Sequence, residues 1–294
     1  MAEHIMVYGD FHGANKILNK AKEMLVETNG DRKHGSNSSC VIVEHNNSKY
    51  AVLKTSNMTI YCNNEDTAIP VDTHKMLIDG NLEFSNVVKL TQKHKCHNAV
   101  PIVGYTYDDE NFTQFRNSAY ANGYIIQECA KGEELYDKVP KTYIVNEDGL
   151  KVVIEYTKKY ANAPYEQFLS FVNNYREIDK ELKIDPSKRN NFFYDEAVGF
   201  SFIDLNFANS KQNENNPYIV RGIISQFRPF FLEKNCTSAS RKEYLNMQIK
   251  LLKKLKTALL EANFNKEIVE QEVAGQYNSI INACNTDNQD LTKQ

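Results

Sequence analysis

Residues 185–206 read DPSKRNNFFYDEAVGFSFIDLN. Asp185 and Asn190 stand five residues apart in a polar loop, and Asp204 follows after two short apolar runs. This spacing on a tight loop lets the aspartate face one way while the asparagine amide turns back toward a metal ion. Carboxylate and amide oxygens are ligands that Mg²⁺ accepts. The alternative is structural: Asp185 caps a turn and Asp204 ends a strand.

A β-hairpin is predicted between these polar residues. Phe192 to Tyr194 and Phe200 to Ile203 are apolar runs of strand type, and Asp195 to Gly199 supplies the turn between them. Asn206 to Asn216 is rich in Asn and Ser and is predicted as a loop. A long helix precedes the stretch, because apolar residues recur at helical spacing: Phe168, Leu169, Phe171, Val172, Tyr175, Ile178 and Leu182.

The two halves of the chain differ in their predicted elements. The first half is strand-rich and has one helix before the strands and one among them. The predicted strands are Val41–Val43, Tyr50–Leu53, Val100–Tyr105 and Gly123–Gln127, and the predicted helices are Ala14–Val26 and Leu82–Leu90. The second half is mostly helical and has further helices at Lys242–Leu260 and Lys266–Asn282.

The loop and hairpin resemble those of the protein kinase superfamily. In that family a catalytic loop of the pattern D-x-x-x-x-N is followed, after a short hairpin, by a metal-binding aspartate. The resemblance implies that Asp185 orients or deprotonates an acceptor hydroxyl and that Asn190 and Asp204 hold Mg²⁺. Either Lys188 or Arg189 would take the role of the family's lysine and reach the transferred phosphate.

The first half of the chain supplies the other parts of such a site in order. Lys54 ends the run Tyr50-Ala-Val-Leu-Lys54 and resembles the lysine that holds the α and β phosphates. Glu83 stands where the family places the glutamate that pairs with this lysine. The alternative for Lys54 is an ordinary solvated lysine at a strand end.

A segment of small residues resembles a glycine-rich phosphate loop. Its backbone N–H groups would cradle phosphate, and the residues implied are Gly35, Ser36, Asn37, Ser38 and Ser39. Asn37 and Cys40 stand where glycine is usual. The alternative is a plain polar hairpin turn.

Residues 124–136 resemble the passage from the last strand of the first kinase lobe into the hinge. By this resemblance Gln127 is the gatekeeper, and Glu128 to Ala130 form the hinge whose backbone meets the adenine edge. Glu134 would offer its carboxylate to the ribose. The alternative is an ordinary strand followed by the start of a helix.

The resemblance implies an α+β, bilobal protein-kinase-like fold with a small β-rich N-lobe and a mainly helical C-lobe. We predict an N-terminal helical extension at 1–29, the N-lobe at 30–128, the C-lobe at 129–285 and a flexible tail at 286–294. ATP and magnesium are the implied cofactors.

Several residues depart from the family pattern. Lys183 and Ile184 stand where histidine and arginine precede the aspartate, which argues against control by a phosphorylated activation loop. Leu205 and Asn206 replace the family's Phe-Gly. Leucine fills an apolar socket, and asparagine tolerates the left-handed backbone that glycine would adopt. No A-P-E follows, so the acceptor site is built differently.

We therefore expect an enzyme that transfers the γ-phosphoryl group of ATP to a hydroxyl group. A protein serine or threonine is favoured over a small molecule of the kind that aminoglycoside phosphotransferases use. Two alternatives stay open: a pseudokinase that acts as a scaffold or switch without turnover, and an interaction protein that uses its C-terminal helices.

Composition limits the partners and the compartment. Hydrophobic residues are 41% and charged residues 25%, as in ordinary globular chains, and the net charge of -3 favours neither nucleic acid nor an anionic membrane. The six cysteines form no C-x-x-C pair, and the N-terminus lacks a secretory pattern, so we expect a cytoplasmic protein with reduced thiols. Delivery into another cell as an effector is left open.

His94, Cys96 and His97 lack a second ligand pair at zinc-finger spacing, so we expect a structural or surface role for them.

Overall fold

A computed structural model describes residues 5–27, 33–34, 38–62, 83–115, 118–139, 144–184, 191–207 and 217–284. The chain groups into two compact units. The strand-rich unit comprises Met1–Ala130, Glu181–Lys183 and Leu205–Ser210. The helical unit comprises Lys131–Lys180, Ile184–Asp204 and Lys211–Gln294. The predicted domain limits remain predictions, because grouping into compact units does not show that either unit folds on its own.

An antiparallel sheet forms the centre of the strand-rich unit. Its strands are β1 (Met6–Val7), β2 (Lys33–His34), β3 (Ser38–His45), β4 (Ser48–Cys62), β5 (Ile102–Phe115) and β6 (Ser118–Glu128). Their order in the sheet is β1-β5-β6-β4-β3-β2. β3 and β4 meet in a turn where Asn46 and Asn47 have φ of 50° and 61°, as a two-residue hairpin turn with two left-handed residues requires.

Two helices pack on this sheet. Helix α1 (Ala14–Glu27) contacts β3, β4 and β6, and its residues Ile17 and Leu18 share one apolar core with Val43 and Val52. Helix α2 (Glu83–Lys93) contacts β4 and β5 and continues into a 3₁₀ turn at His94–His97. Each buried aliphatic side chain of this kind contributes about 1.5–3 kcal/mol to folding.

Two short strands from later in the chain also belong to the strand-rich unit. They are β9 (Leu182–Lys183) and β12 (Asn206–Phe207), which pair antiparallel with Asn206 opposite Lys183. Helix α2 packs against β12. The two strands flank the predicted catalytic loop and Asp204 in the sequence, so both flanks belong to a strand pair that packs on α2 through β12.

The helical unit is built around helices α3 (Glu147–Asn162), α4 (Tyr165–Asp179), α5 (Pro217–Ser225), α6 (Ser238–Glu261) and α7 (Lys266–Cys284). Strands β7 (Glu133–Glu134), β10 (Phe192–Asp195) and β11 (Gly199–Phe202) form a small sheet, and β8 (Ile144–Val145) pairs with β13 (Phe231–Leu232). Buried aromatic rings join the hairpin to α4. The rings of Phe171 and Phe200 have centroids 4.7 Å apart.

The predicted α+β class is confirmed, with a β-rich unit and a mainly helical unit. An antiparallel sheet with α2 between β4 and β5 comes first, and a mainly helical unit follows. The loop prediction for residues 206–216 is wrong at its start, because Asn206 and Phe207 form β12 by pairing with β9. Helices α3 and α5 were not predicted. Among the described residues, no helix has both the length and the apolar composition of a membrane span.

Candidate functional site

Lys54 lies on β4, directly opposite the start of β3. Ser39 pairs with Lys54, and His34 of β2 pairs with the same serine from its other side. The side chain of Lys54 is exposed, so its ammonium group faces solvent. Ser38 and Ser39 belong to β3 and not to a loop, which corrects the predicted extent of the phosphate loop. Gly35, Ser36 and Asn37 lie outside the described residues.

Glu83 is the first residue of α2, in agreement with its predicted place at the head of a helix. Phe84 next to it is buried, and its ring meets that of Tyr105 edge-on with centroids 5.0 Å apart. This contact fixes the start of α2 on β5. The side chain of Glu83 lies outside the description, so its ion pair with Lys54 remains a prediction.

The end of β6 carries the predicted gatekeeper and hinge. Gln127 is buried, and its side-chain amide donates to the Val100 carbonyl at 2.9 Å. The Glu128 N–H donates to the Pro101 carbonyl at 3.0 Å. Residues that face each other in this way in an antiparallel ladder normally exchange two hydrogen bonds. Proline has no N–H to return, so the ladder supplies no donor from Pro101 to the Glu128 carbonyl.

The other hinge positions are less constrained. The Cys129 N–H donates to the Lys49 carbonyl at 3.2 Å, and the Glu128 carboxylate accepts a surface bond from Lys95 at 2.8 Å. Ala130 follows β6 and is half-buried. Glu134 lies in β7, opposite Phe193 of β10. Its predicted contact with a ribose remains a prediction.

The predicted catalytic loop itself is not described, since Asp185, Lys188, Arg189 and Asn190 lie in the gap at 185–190. Its end is nevertheless defined. The Ile203 N–H donates to the Asn191 carbonyl at 2.9 Å, one step beyond the β10–β11 pairing of Phe192 with Phe202. The residue after Asn190 is thus hydrogen bonded to the residue before Asp204.

Asp204 is exposed and has a φ of 54°. The left-handed backbone that was predicted at Asn206 therefore occurs at Asp204, while Asn206 is extended in β12. Aspartate tolerates this conformation better than most residues do, at a cost of about 1–2 kcal/mol. Leu205 is buried, in agreement with an apolar side chain in the socket that follows the aspartate.

Asp179, at the end of α4, is a residue that sequence reasoning missed. Its side chain is only 4% exposed, and one carboxylate oxygen accepts from the Ile184 N–H. The Oδ2 atom has no hydrogen-bond partner among the described residues. Burial raises the pKa of Asp179 to about 6, and the Ile184 hydrogen bond opposes this rise. Its position six residues before Asp185 was the available signal in the sequence.

Glu181 was also missed, and it joins the end of α2 to the start of β9. Its carboxylate accepts from the Lys93 ammonium at 2.6 and 2.7 Å and from His94 Nε2 at 2.7 Å. The Lys93 hydrogen bond, followed by that from His94, lowers the pKa of Glu181. No signal in the sequence connects residues this far apart along the chain.

The predicted cluster of His94, Cys96 and His97 is part of this contact. His94 Nδ1 lies 3.0 Å from His97 Nδ1, and Cys96 Sγ lies 3.6 Å from the same His97 atom. In the described part of the chain, no group of three or more His, Cys, Asp or Glu side chains is arranged to hold a metal ion. The described hydrogen-bond partners of the His94 side chain are His97 and Glu181.

No protein-family model matches the sequence, and neither does any curated protein. Three of the solved structures that match cover most of this chain, with TM-scores under 0.5. "WaaP in complex with acyl carrier protein" has a TM-score of 0.41 at 10% identity, over 93% of this chain and 99% of that chain. Rad53 1-466 in complex with AMP-PNP has a TM-score of 0.35 at 14% identity, over 88% of this chain and 63% of that chain.

The third structure is spectinomycin phosphotransferase APH(9)-Ia, in complex with ADP and spectinomycin. It has a TM-score of 0.26 at 10% identity, over 86% of this chain and 91% of that chain. The three similarities carry no conclusion about activity.

Proposed function

We propose that this chain is an ATP- and magnesium-dependent phosphotransferase that moves the γ-phosphoryl group to a hydroxyl group, on a protein serine or threonine. The observation that supports it most is the 2.9 Å bond from Ile203 to Asn191. It joins the neighbours of Asn190 and Asp204, and an amide oxygen and a carboxylate at one end of a hairpin suit Mg²⁺. Asp204 is exposed, so a metal ion can reach this residue from solvent.

The end of β6 supports adenine binding. The Glu128 carbonyl receives no ladder donor from Pro101, so it is an acceptor suited to the edge of a nucleobase. In this proposal Glu128 to Ala130 meet adenine through the backbone, and Gln127 lies behind it. Because the Gln127 side-chain amide donates to the Val100 carbonyl, the Gln127 side chain limits the space behind the adenine and does not bind it.

The other residues hold the phosphates and the acceptor. Lys54, paired with Glu83, holds the α and β phosphates, and the N–H groups of the phosphate loop cover them. Asp185 orients the acceptor hydroxyl and takes its proton, and Lys188 stabilises the transferred group. Bound magnesium supplies charge neutralisation on the phosphate oxygens.

The test measures phosphoryl transfer from labelled Mg-ATP by the wild type and by Asp204→Ala. We expect the variant to lose activity by about 10²- to 10³-fold, the range for removing one electrostatic partner of a transition state. Asp148→Ala is the matched control, because Asp148 is an exposed aspartate at the start of α3. Absence of ATP turnover and of autophosphorylation in the wild type, with Asp204→Ala unchanged, would refute the proposal.

A pseudokinase is the second candidate. It is favoured by Asn37 and Cys40, which stand where the family pattern has glycine, and by Lys183 and Ile184 in place of His-Arg. A thermal shift with Mg-ATP separates the two candidates, since ligand at about 100 times its Kd adds about 2.7 kcal/mol to the stability of any chain that binds it. Stabilisation without turnover would identify the pseudokinase.

A further inference from the structure

The carboxyl end of α2 is fixed to the sheet through Ile102, the first residue of β5. Thr91 Oγ1 accepts from the Ile102 N–H at 3.1 Å, and the Gln92 side-chain amide donates to the Ile102 carbonyl at 2.6 Å. Both backbone groups of one strand residue are therefore bound by adjacent residues of the helix. The last turn of α2 is thus a fixed point on the sheet.

Glu181 is bound to this fixed point by two donors. Lys93 ends α2, and His94 follows it directly. The Lys93 side chain is 61% exposed, whereas that of His94 is 4% exposed. Exposed ion pairs contribute little, and buried charge-assisted hydrogen bonds contribute more. We therefore expect His94 to supply the stronger of the two bonds.

The segment that begins at Glu181 leads into the proposed catalytic residues. β9 follows Glu181 directly and pairs with β12, and β12 begins two residues after Asp204. Asp185 likewise lies two positions after Lys183, the last residue of β9. The backbone on one side of each aspartate is therefore held by a strand pair whose attachment to α2 includes Glu181.

We propose that Glu181 is a positioning residue for phosphoryl transfer, which holds the β9–β12 pair on α2 through His94 and Lys93. This inference rests on the proposed function. Glu181 touches neither nucleotide nor acceptor in this role. Glu181 sets the position of the backbone just before the catalytic loop and just after Asp204. Small displacements of reacting groups reduce turnover strongly while ligand affinity is kept.

The test compares the kcat and the KM for ATP of Glu181→Gln with those of the wild type. We expect kcat to fall roughly tenfold, as the loss of one charge-assisted hydrogen bond implies, and KM for ATP to stay within about twofold. Lys93→Met has a smaller effect than His94→Ala. His94→Gln restores part of the loss, because its amide nitrogen takes the place of Nε2.

Glu243→Gln is the matched control. It removes the same charge from the exposed Lys158–Glu243 pair of the helical unit. Circular dichroism verifies that each variant is folded. Amide hydrogen exchange of Leu182 and Phe207 provides a readout without nucleotide, and we expect both amides to exchange faster in Glu181→Gln.

The outcomes separate the inference from the proposed function. Unchanged kcat and unchanged exchange in Glu181→Gln overturn the positioning role, whatever the activity of the wild type. If amide exchange is faster in Glu181→Gln but the wild type turns over no ATP, the proposed phosphotransferase function is overturned. The attachment of the β9–β12 pair to α2 through Glu181 is then retained. An equal loss of kcat in Glu243→Gln shows a general charge effect and also overturns the positioning role.

Discussion

Asp179 is a residue at which burial opposes ionisation. Burial raises its pKa from 3.8 to about 6, so the folded state holds the proton more tightly than the unfolded state does. Stability therefore falls as the pH rises through this interval and stays lower above it. A carboxylate with such a cost, next to a predicted catalytic segment, is typical of a functional site.

Asp179→Asn removes this cost. Its amide oxygen still accepts from the Ile184 N–H, and its nitrogen replaces an Oδ2 that has no hydrogen-bond partner among the described residues. We expect the variant to exceed the wild type by about 1–3 kcal/mol at pH 8, and the difference to vanish toward pH 4. Urea unfolding at the two pH values measures this.

Asp148→Asn, at an exposed position, is the control and should show no such pH dependence. A stability gain in Asp179→Asn that is equal at pH 8 and pH 4 would contradict the assignment of the cost to the charge.

The start of β5 lies opposite the end of β6. This pairing predicts that an N–H at position 101 would compete with a bound nucleobase for the Glu128 carbonyl. Pro101→Ala supplies the N–H that the ladder lacks, and the Glu128 carbonyl then has a partner inside the sheet. We expect the Kd for Mg-ATP to rise about two- to tenfold, the value of one hydrogen bond. Isothermal titration measures this, and Pro164→Ala before α4 is the control. Unchanged affinity in Pro101→Ala would remove Glu128 from the nucleotide site.

Elements with a clear period could be predicted from the sequence. Helices α1, α4, α6 and α7 carry apolar residues at helical spacing, and the Asn46–Asn47 turn has the residues that two left-handed positions require. Helix α3 also had a signal, since Asn146 caps it and Glu147 and Asp148 occupy its first turn. That signal was missed.

Helix α5 and β12 had weaker signals. α5 is nine residues long and mainly apolar apart from Arg221 and Ser225, and a short apolar run of this kind does not distinguish a helix from a buried strand. β12 lies in a polar segment and is extended because β9 pairs with it. The contact of Glu181 with His94 likewise depends on tertiary structure and leaves no local pattern. The roles of Asp185 and Asn190 remain predictions.

At the scale of the whole molecule, the two units are interleaved along the chain. Glu181–Lys183 and Leu205–Ser210 belong to the strand-rich unit although they follow Ala130. We therefore expect a fragment of residues 1–130 to be less stable than the intact chain. It lacks the carboxylate that accepts from buried His94, and an unsatisfied buried donor costs about 1–3 kcal/mol.

Thermal melting followed by circular dichroism measures this difference. A chain that lacks only residues 285–294 serves as the control for truncation, because that cut removes no described contact. A fragment of residues 1–130 that melts as cooperatively as the intact protein, and at the same temperature, would show that the later segments contribute nothing to the strand-rich unit.

Under the proposed function, the proline at position 101 affects the choice between purine nucleotides. A lone backbone acceptor favours a base that presents an exocyclic amine, as adenine does at C6, and opposes one that presents an oxygen there, as guanine does. Two acceptors facing each other would leave both lone pairs without a hydrogen. Selectivity for ATP over GTP would then arise from the N–H that Pro101 lacks, through the backbone carbonyl of Glu128.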